Sequence, residues 1–420
     1  MIIYQVLPRL WGNGRFSDWG DAELAYLRSL GISHVWFTGV PRHARGKPFV
    51  KGDPGSPYAI EDYYDVNPYL ADKEENRMAE FESLVRRVHA AGMGVVIDFV
   101  PNHVAREYRG DLPLLDCCDA DWTDTRKIDY GAADTREKLC EILSFWASKG
   151  VDGVRCDMVE LVPPDFFAMS IPRIKSRWPD FRFIAEVYDM ARYREYVEQV
   201  GFDLLYDKSG LYDTLVAIDG GQRNAHDITL NWQRLSDLQP RMLNFLENHD
   251  EQRLQQDNYA ALTVSALFNN ASFLLYFGEE LGERAEGSER LRTSIFDFET
   301  VPTVQRLIRH IRLGEPLPAA EAERLERHRR ILQLASRVQD WLNFDLCFCN
   351  ADTPGFDPGR HFAFLRYPED RNGAPVLAVC NFSAVPARFN LQVPASLCAL
   401  SGWSQPSVPV EIPAREAIIL

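Results

Sequence analysis

Short apolar runs alternate with segments of helical periodicity along most of the chain. Such runs, bounded by turn residues, predict strands. Apolar side chains recur at i, i+3, i+4 and i+7 in residues 81–88 and 139–146, which predicts helices. Asp21 and Thr135 are candidate N-caps, and Gly31 is a candidate stop. The predicted strands are residues 2–7, 34–38, 95–100, 153–157, 183–187, 202–206, 242–246 and 272–277. Eight strands that alternate with helices are typical of an α/β protein with a (β/α)8 barrel.

An open, doubly wound sheet is the alternative architecture. Nearly continuous apolar strands fit either one, because both have a parallel sheet covered on two faces. The first strand, however, is followed by Trp11-Gly-Asn-Gly-Arg15 and not by the Gly-x-Gly-x-x-Gly turn of dinucleotide-binding folds. We therefore predict the closed barrel.

The pattern changes after Phe298. Residues 301–312 and 321–334 have helical character, and short strand candidates separated by Pro, Gly and Asn follow at residues 361–366, 376–381 and 388–393. We predict a large barrel domain, which would carry any catalytic site, over residues 1–335, and a small antiparallel β-domain over residues 336–420.

Composition narrows the classes of function. The chain has 46 Lys+Arg against 61 Asp+Glu, and a net charge of -15 opposes a basic footprint for nucleic acid or an anionic membrane. No segment reaches transmembrane length, and the opening Met1–Arg9 lacks the basic region of a signal peptide. The eight Cys include no C-x-x-C pair, so we interpret them as reduced thiols. We expect a cytoplasmic protein, although an exported one whose leader is missing would look the same.

Polar side chains concentrate at four predicted strand ends, where core packing does not require them. The four segments read Asp98-Phe-Val-Pro-Asn-His103, Gly153-Val-Arg-Cys-Asp157, Phe183-Ile-Ala-Glu186 and Phe245-Leu-Glu-Asn-His-Asp250. In an α/β barrel the loops after the strands build the active site. Arg155 and Asp157 share one strand face, so from this segment alone a plain ion pair is an equally open interpretation.

These segments, in this order, resemble the four short sequence blocks of the α-amylase family of glycoside hydrolases, glycoside hydrolase family 13. Their positions on predicted strands three, four, five and seven agree with that family. The resemblance implies a TIM barrel and a retaining mechanism. It also implies roles for individual residues. The catalytic residues are Asp157 as nucleophile, Glu186 as general acid/base and Asp250 as the third carboxylate. The substrate-binding residues are Tyr58, His103, Arg155 and His249, and Asp98 supports Arg155 and the nucleophile.

The chemistry of the residues is consistent with these roles. A retaining glycosidase needs two carboxyl groups about 5–5.5 Å apart, one to attack the anomeric carbon and one to carry a proton. The neighbouring Arg155 should keep Asp157 ionised, whereas the apolar Phe-Ile-Ala-Glu-Val setting should raise the pKa of Glu186. A single His after a strand is usually structural, and single aromatic residues such as Trp11, Phe16 and Trp122 serve more often in a core than beneath a sugar.

Two features depart from the family pattern. Many members insert a domain after the third strand, but residues 104–125 form only a short loop here. The family's structural calcium would use Asn102, whereas Lys127 stands at one of its acidic positions and Asp116, Asp119, Asp121 and Asp124 offer other oxygen ligands. We expect no required cofactor and leave a structural calcium open.

The second departure follows the nucleophile. Many amylases have Lys-His three and four residues after it, on the leaving-group side, and this chain has Glu160-Leu161. We therefore expect different aglycone subsites. Glu279, Glu280 and Glu283 after the last barrel strand disfavour phosphorylated substrates.

The resemblance predicts a retaining hydrolase of α-glucosidic bonds, with α-1,4 bonds of malto-oligosaccharides or α-glucan as the expected target. A transglycosylase or isomerase is the alternative within catalysis, and a non-catalytic carbohydrate-binding or scaffold relative is the alternative outside it. We expect an oligosaccharide or α-glucan as partner, and neither nucleic acid nor membrane.

Overall fold

Eight parallel strands close into a barrel in the computed structural model, which describes residues 1–119, 121–251, 253–288, 291–370 and 372–420. Each strand pairs with its neighbours in chain order, and the first pairs with the last. The strands are β1 Ile2–Val6, β2 His34–Phe37, β3 Gly94–Phe99, β4 Gly153–Cys156, β5 Arg182–Ala185, β6 Leu204–Tyr206, β7 Met242–Phe245 and β8 Ser272–Tyr276. The predicted (β/α)8 barrel is confirmed, and the doubly wound alternative is wrong.

Helices follow the strands and cover the barrel. They are α1 Asp21–Ser29, α2 Arg77–Ala90, α3 Thr135–Ser148, α4 Pro164–Lys175, α5 Asp213–Asp219, α6 His226–Leu235, α7 Tyr259–Leu267, α8 Pro302–Leu313 and α9 Ala319–Val338. A π-helical segment, Glu195–Val200, takes the corresponding place after β5. The predicted apolar stripes of α2 and α3 are buried. None of the described helices is long and apolar enough to cross a membrane.

The predicted N-caps were wrong by one residue. Asp21 and Thr135 are the first helical residues, and the N-cap positions belong to Gly20 and Asp134. Acidic Asp21 is still favourable there, because the first turn carries the positive end of the helix dipole. Gly31 follows α1 with φ +82°, a left-handed conformation that glycine adopts without strain.

Two hairpins rise from the carboxyl ends of the barrel strands. The loop after β2 pairs Pro41–His43 with Ile60–Val66, and the loop after β3 pairs His103–Ala105 with Thr125–Lys127. The second hairpin includes the predicted short loop, residues 104–125. Both hairpins stand beside the strand ends that carry the candidate site.

An antiparallel β-domain follows the barrel, as predicted. It consists of β9 Leu342–Asp345, β10 His361–Tyr367, β11 Val376–Asn381, β12 Ala387–Gln392, helix α10 Ala395–Ser401, β13 Ser407–Ile412 and β14 Ala417–Ile419. Four strands form a sheet in the order β9-β10-β11-β14, and β12 pairs with β13. Strands β9, β13 and β14 escaped the sequence analysis. The division at 335/336 remains a prediction, and α9 runs three residues beyond it to Val338.

Arg366 on β10 joins the two parts of the chain. Its side chain is fully buried and donates to the carbonyl oxygens of Leu267 (2.5 Å), Asn269 (2.8 Å) and Val338 (2.5 Å). These carbonyls lie at or just beyond the carboxyl ends of α7 and α9, where helix dipoles favour a cation. Burial lowers the pKa of Arg366 to about 10, which leaves it charged near neutral pH.

Replacing Arg366 should therefore loosen the C-terminal sheet from the barrel. We expect Arg366→Met to lower the free energy of unfolding by about 3 kcal/mol or more, because several buried carbonyls lose their donor. Arg388→Met, which removes an arginine exposed on β12, should leave it nearly unchanged. Equilibrium unfolding in urea measures both, and equal stabilities of the two variants would contradict the role given to Arg366.

Candidate active site

The guanidinium of Arg155 lies at the centre of the predicted site residues. The side chain is fully buried, and Nη1 donates to Asp157 Oδ1 at 2.5 Å. Nη2 lies 2.8 Å from Glu186 Oε1 and 3.7 Å from Asp250 Oδ2. The contact with Glu186 is an ion pair whose angle departs from hydrogen-bond geometry. One cation thus gathers the three predicted catalytic carboxylates from the ends of β4, β5 and β7.

The strand register explains why Arg155 points into the barrel. Arg155 on β4 pairs with Asp98 on β3 and with Ile184 on β5. The rings of three aromatic residues surround the guanidinium at 5.4–5.7 Å from their centroids: Trp36, Tyr58 and Tyr206. Aromatic faces stabilise a buried cation.

Asp157 lies immediately beyond β4, where its N–H donates to the carbonyl of Phe99 at 2.9 Å. The next residue, Met158, has a left-handed backbone, with φ 44° and ψ 47°. Burial raises the pKa of Asp157 to about 6, and Arg155 opposes that rise. The expectation that Arg155 favours the ionised form is thus right in direction, although desolvation is the larger effect.

Glu186 is almost fully buried at the end of β5. Its Oε2 accepts from the Met158 N–H at 2.7 Å, and its Oε1 accepts from the Tyr188 hydroxyl at 2.7 Å. Burial raises the pKa of Glu186 to about 7, against the opposing effect of Arg155. The apolar setting therefore acts as the sequence predicts.

Asp250 is the exposed member of the group, with 35% of its side chain accessible. Its position follows from a turn in which the side chain of Asn248 accepts from the Asp250 N–H at 2.8 Å. Arg292, from the loop after β8, donates to the Asp250 carbonyl at 2.5 Å. Asp250 therefore faces the cleft from a fixed backbone.

His249 and Tyr58 form the floor next to Asp250. Their rings stack at 5.3 Å with an angle of 20°, and His249 Nε2 lies 3.1 Å from Asp250 Oδ2. The Tyr58 hydroxyl also donates to Asp98 Oδ1 at 3.3 Å, and the Gly39 N–H donates to Asp98 Oδ2 at 3.2 Å. Burial lowers the pKa of His249 to about 4, so it is neutral near pH 7. Asp98 thus has two links to the site: it accepts a hydrogen bond from Tyr58, and it pairs with Arg155 across the neighbouring strands.

His103 lies next to the Tyr58 backbone, at the start of the hairpin after β3, and also lines the cleft. Its ring packs 5.0 Å from that of Trp122, which also lines the cleft. Burial lowers the pKa of His103 to about 4. Trp11 and Phe16, by contrast, are buried in the core, where Trp11 stacks on Trp19 at 4.7 Å.

The residues around Asn102 do not fit a calcium site. The Asn102 amide nitrogen donates to Asp119 Oδ2 at 3.0 Å, and the Lys127 ammonium lies 2.6 Å from Asp119 Oδ1. Asp124 Oδ2 is buried without a partner, but Lys51 stands 3.7 Å from Oδ1 of the same carboxylate. No group of three or more His, Cys, Asp or Glu able to hold a metal occurs among the described residues. Ammonium groups already balance the charge that calcium would neutralise.

The three predicted catalytic carboxylates meet Tyr58, His103 and His249 in one cleft of about 1510 Å³. Lining side chains come from the loops after β2, β3, β4, β5, β7 and β8, and they include Tyr58, His103, Trp122, Asp157, Glu186, Tyr188, His249, Asp250 and Arg292. Tyr188 and Arg292 escaped the sequence analysis. Tyr188 could have been inferred from its spacing. On an extended segment, side chains two residues apart face the same way, so Tyr188 is expected on the same face as Glu186.

Known proteins are similar to this chain. Residues 5–110 match the family model described as the α-amylase catalytic domain. The chain is 27% identical over 315 residues to the α-amylase MalA of Haloarcula japonica. The alignment covers 67% of this chain and 44% of MalA. It is 25% identical over 366 residues to an α-1,4-glucan:maltose-1-phosphate maltosyltransferase of Cereibacter sphaeroides, covering 74% of this chain and 59% of the relative. The chain thus spans about half the length of these curated relatives.

A solved structure shows the same fold. The maltogenic α-amylase AmyB from Thermotoga neapolitana aligns with a TM-score of 0.72 at 24% identity, covering 100% of this chain and 96% of that one. The match to the family model confirms the resemblance to the α-amylase family that the four sequence blocks indicate. The likeness to the solved structure shows that the fold is shared.

Proposed function

We propose that the chain is a retaining glycoside hydrolase that acts on α-glucosidic bonds, α-1,4 bonds of malto-oligosaccharides or α-glucan in particular. One observation carries the proposal: Asp157 and Glu186 contact the two terminal nitrogens of a single buried guanidinium. Carboxyl groups held this close favour the retaining spacing over the roughly 6.5–9.5 Å of inverting enzymes, which must leave room for a water. The similarity to MalA supports the α-glucan substrate.

The reaction divides into two steps. Asp157 Oδ attacks the anomeric carbon and forms a glycosyl ester, while Glu186 gives its proton to the departing glycosidic oxygen. The ionised Glu186 then takes a proton from water, whose oxygen attacks the anomeric carbon and releases Asp157. Asp250 and neutral His249 are placed to hold hydroxyls of the same sugar, and hydrogen bonds that strengthen in the transition state accelerate the reaction.

Transfer to a sugar acceptor is the second candidate, because one similar protein is a maltosyltransferase. The same ester would then be attacked by a sugar hydroxyl in place of water. Product analysis with excess acceptor separates the two, and exclusive transfer would replace hydrolysis as the assignment. A purely binding role has less support, since all three carboxylates remain in contact with Arg155.

The partner follows from the proposed activity, whereas the proposed location rests on the cysteines. We take its partner to be an oligosaccharide or α-glucan. Each of the eight cysteines is a free thiol, which supports a reducing, cytoplasmic compartment.

Replacing either carboxyl group by an amide should slow hydrolysis strongly. We expect Asp157→Asn and Glu186→Gln each to lower kcat on maltoheptaose about 10²- to 10⁴-fold. With α-maltosyl fluoride, whose leaving group needs no proton, Glu186→Gln should still accumulate the ester on Asp157. Undiminished activity in either variant, or an ester on another residue, would contradict the roles.

The pH profile should be a narrow bell. Activity needs Asp157 ionised, which is lost as the pH falls through about 6, and Glu186 protonated, which is lost as the pH rises through about 7. The two limbs in kcat/KM belong to the coupled pair, not to either residue alone. With α-maltosyl fluoride the alkaline limb of the first step should disappear, and a limb that persists would argue against Glu186 as the acid.

Chelation should leave the protein intact. Because Lys51 and Lys127 compensate the acidic groups near Asn102, we propose that no metal is required. Thermal unfolding and activity should be the same with excess EDTA as with added calcium. A fall in Tm with EDTA, restored by calcium, would show that a metal site exists.

A further inference from the structure

Glu160, at a position where the family often has lysine, binds backbone instead of facing the cleft. It lies on the 3-10 turn Val159–Leu161, three residues beyond Asp157. Its Oε2 accepts from the Tyr188 N–H at 2.8 Å, and its Oε1 accepts from the Asp189 N–H at 3.2 Å. Both donors belong to the loop immediately after Glu186. A carboxylate with two acceptor oxygens suits two adjacent N–H groups, which an ammonium could not bind.

Tyr188 transmits this contact to the acid. While its backbone is held by Glu160, its hydroxyl donates to Glu186 Oε1 at 2.7 Å and its side chain lines the cleft. A rotating hydroxyl can donate to the ionised carboxylate and accept from the protonated one. Tyr188 can therefore partner Glu186 in both steps of double displacement.

The ring of Tyr188 lies on the side of the cleft that would hold the leaving group. Glu186 must face the departing oxygen, so a residue in contact with Glu186 at the cleft wall lies on the leaving-group side. Tyr58 and His103 lie on the loops after β2 and β3, away from β5. An aromatic ring suits the apolar face of a pyranose, so the leaving-group sugar is the one that Tyr188 can contact.

We propose that Glu160 is a positioning residue that holds Tyr188 against the general acid, and that Tyr188 thereby governs proton delivery to sugar leaving groups. The inference rests on the proposed glycosidase function. It predicts a selective loss, because only a leaving group that requires a proton depends on the position of the acid.

The test compares two substrates in each variant. Glu160→Ala and Tyr188→Phe should lower kcat/KM on maltotriose at least about tenfold, and the rate of ester formation from α-maltosyl fluoride should change far less. Glu160→Gln keeps one acceptor oxygen and should fall between Glu160→Ala and the unaltered protein. Glu198→Ala is the matched control, because it removes an exposed carboxylate, paired with Arg194, from the same β5–β6 connection.

Each outcome decides the proposal. A selective loss on maltotriose in Glu160→Ala and Tyr188→Phe supports it, and equal losses on both substrates, or none, overturn it. Tyr188→Phe removes one oxygen and carries the test if Glu160→Ala does not fold. If the unaltered protein cleaves neither substrate, the proposed function fails, which is distinct from a failed selectivity.

The pH profile supplies a readout that a merely structural role would not move. The groups that face Glu186 besides Tyr188 are Arg155, Asp157, Asp250 and Tyr206. Since the Tyr188 hydroxyl stabilises the ionised form of Glu186, its removal should move the alkaline limb to higher pH. Glu160→Ala should move the limb in the same direction, and a limb unchanged in both variants would overturn the positioning role.

Discussion

The buried cation of Arg155 is the constraint on which the site depends. A guanidinium without solvent contact is costly unless anions and hydrogen bonds surround it. Here Asp157, Glu186 and Asp98 are buried around it, and Asp250 stands at its edge. One cation cannot balance all of these carboxylates, so the cluster favours a retained proton. Asp157 has the aligned bond to Nη1, which leaves Glu186 as the group better placed to hold that proton. The charge balance thus separates the proposed nucleophile from the proposed acid.

Backbone geometry makes this arrangement specific. The register that pairs Asp98 with Arg155 turns both side chains into the barrel, and the left-handed Met158 then turns the chain sharply after Asp157. That turn directs the Met158 N–H to Glu186, so one residue both turns the chain after β4 and helps fix the proposed acid just beyond β5. Left-handed conformations of non-glycine residues cost free energy and cluster at functional sites, although they also occur elsewhere in this chain, as at Ser236. The strain at Met158 is consistent with its place between Asp157 and Glu186, the two proposed catalytic groups.

The sequence predicted what is local or repeated. Strand and helix periodicity yielded the barrel, and the motif order brought together Tyr58, His103, Arg155, Asp157, Glu186, His249 and Asp250. Contacts made by loops were beyond its reach. The bond from Glu160 to Tyr188 joins residues 28 apart, and Arg366 reaches carbonyls as far as 99 residues away. No periodicity signals such contacts, because they depend on how separate segments meet. Short edge strands such as β14 were missed for the same reason, since pairing with β11 defines them.

At both departures from the family pattern, a side chain of the protein itself occupies the polar groups that the resemblance would leave to a metal or a sugar. Lys127 places an ammonium on Asp119 where the resemblance implies a metal, and Glu160 places a carboxylate on backbone N–H groups where it implies a lysine facing the leaving group. In both places the chain satisfies its own polar groups. Intramolecular partners do not depend on metal concentration or on a bound sugar, so these parts of the site are ordered before substrate arrives. Such pre-organisation leaves the leaving-group side to Tyr188, an aromatic ring with a hydroxyl, and favours recognition by stacking over recognition by charge.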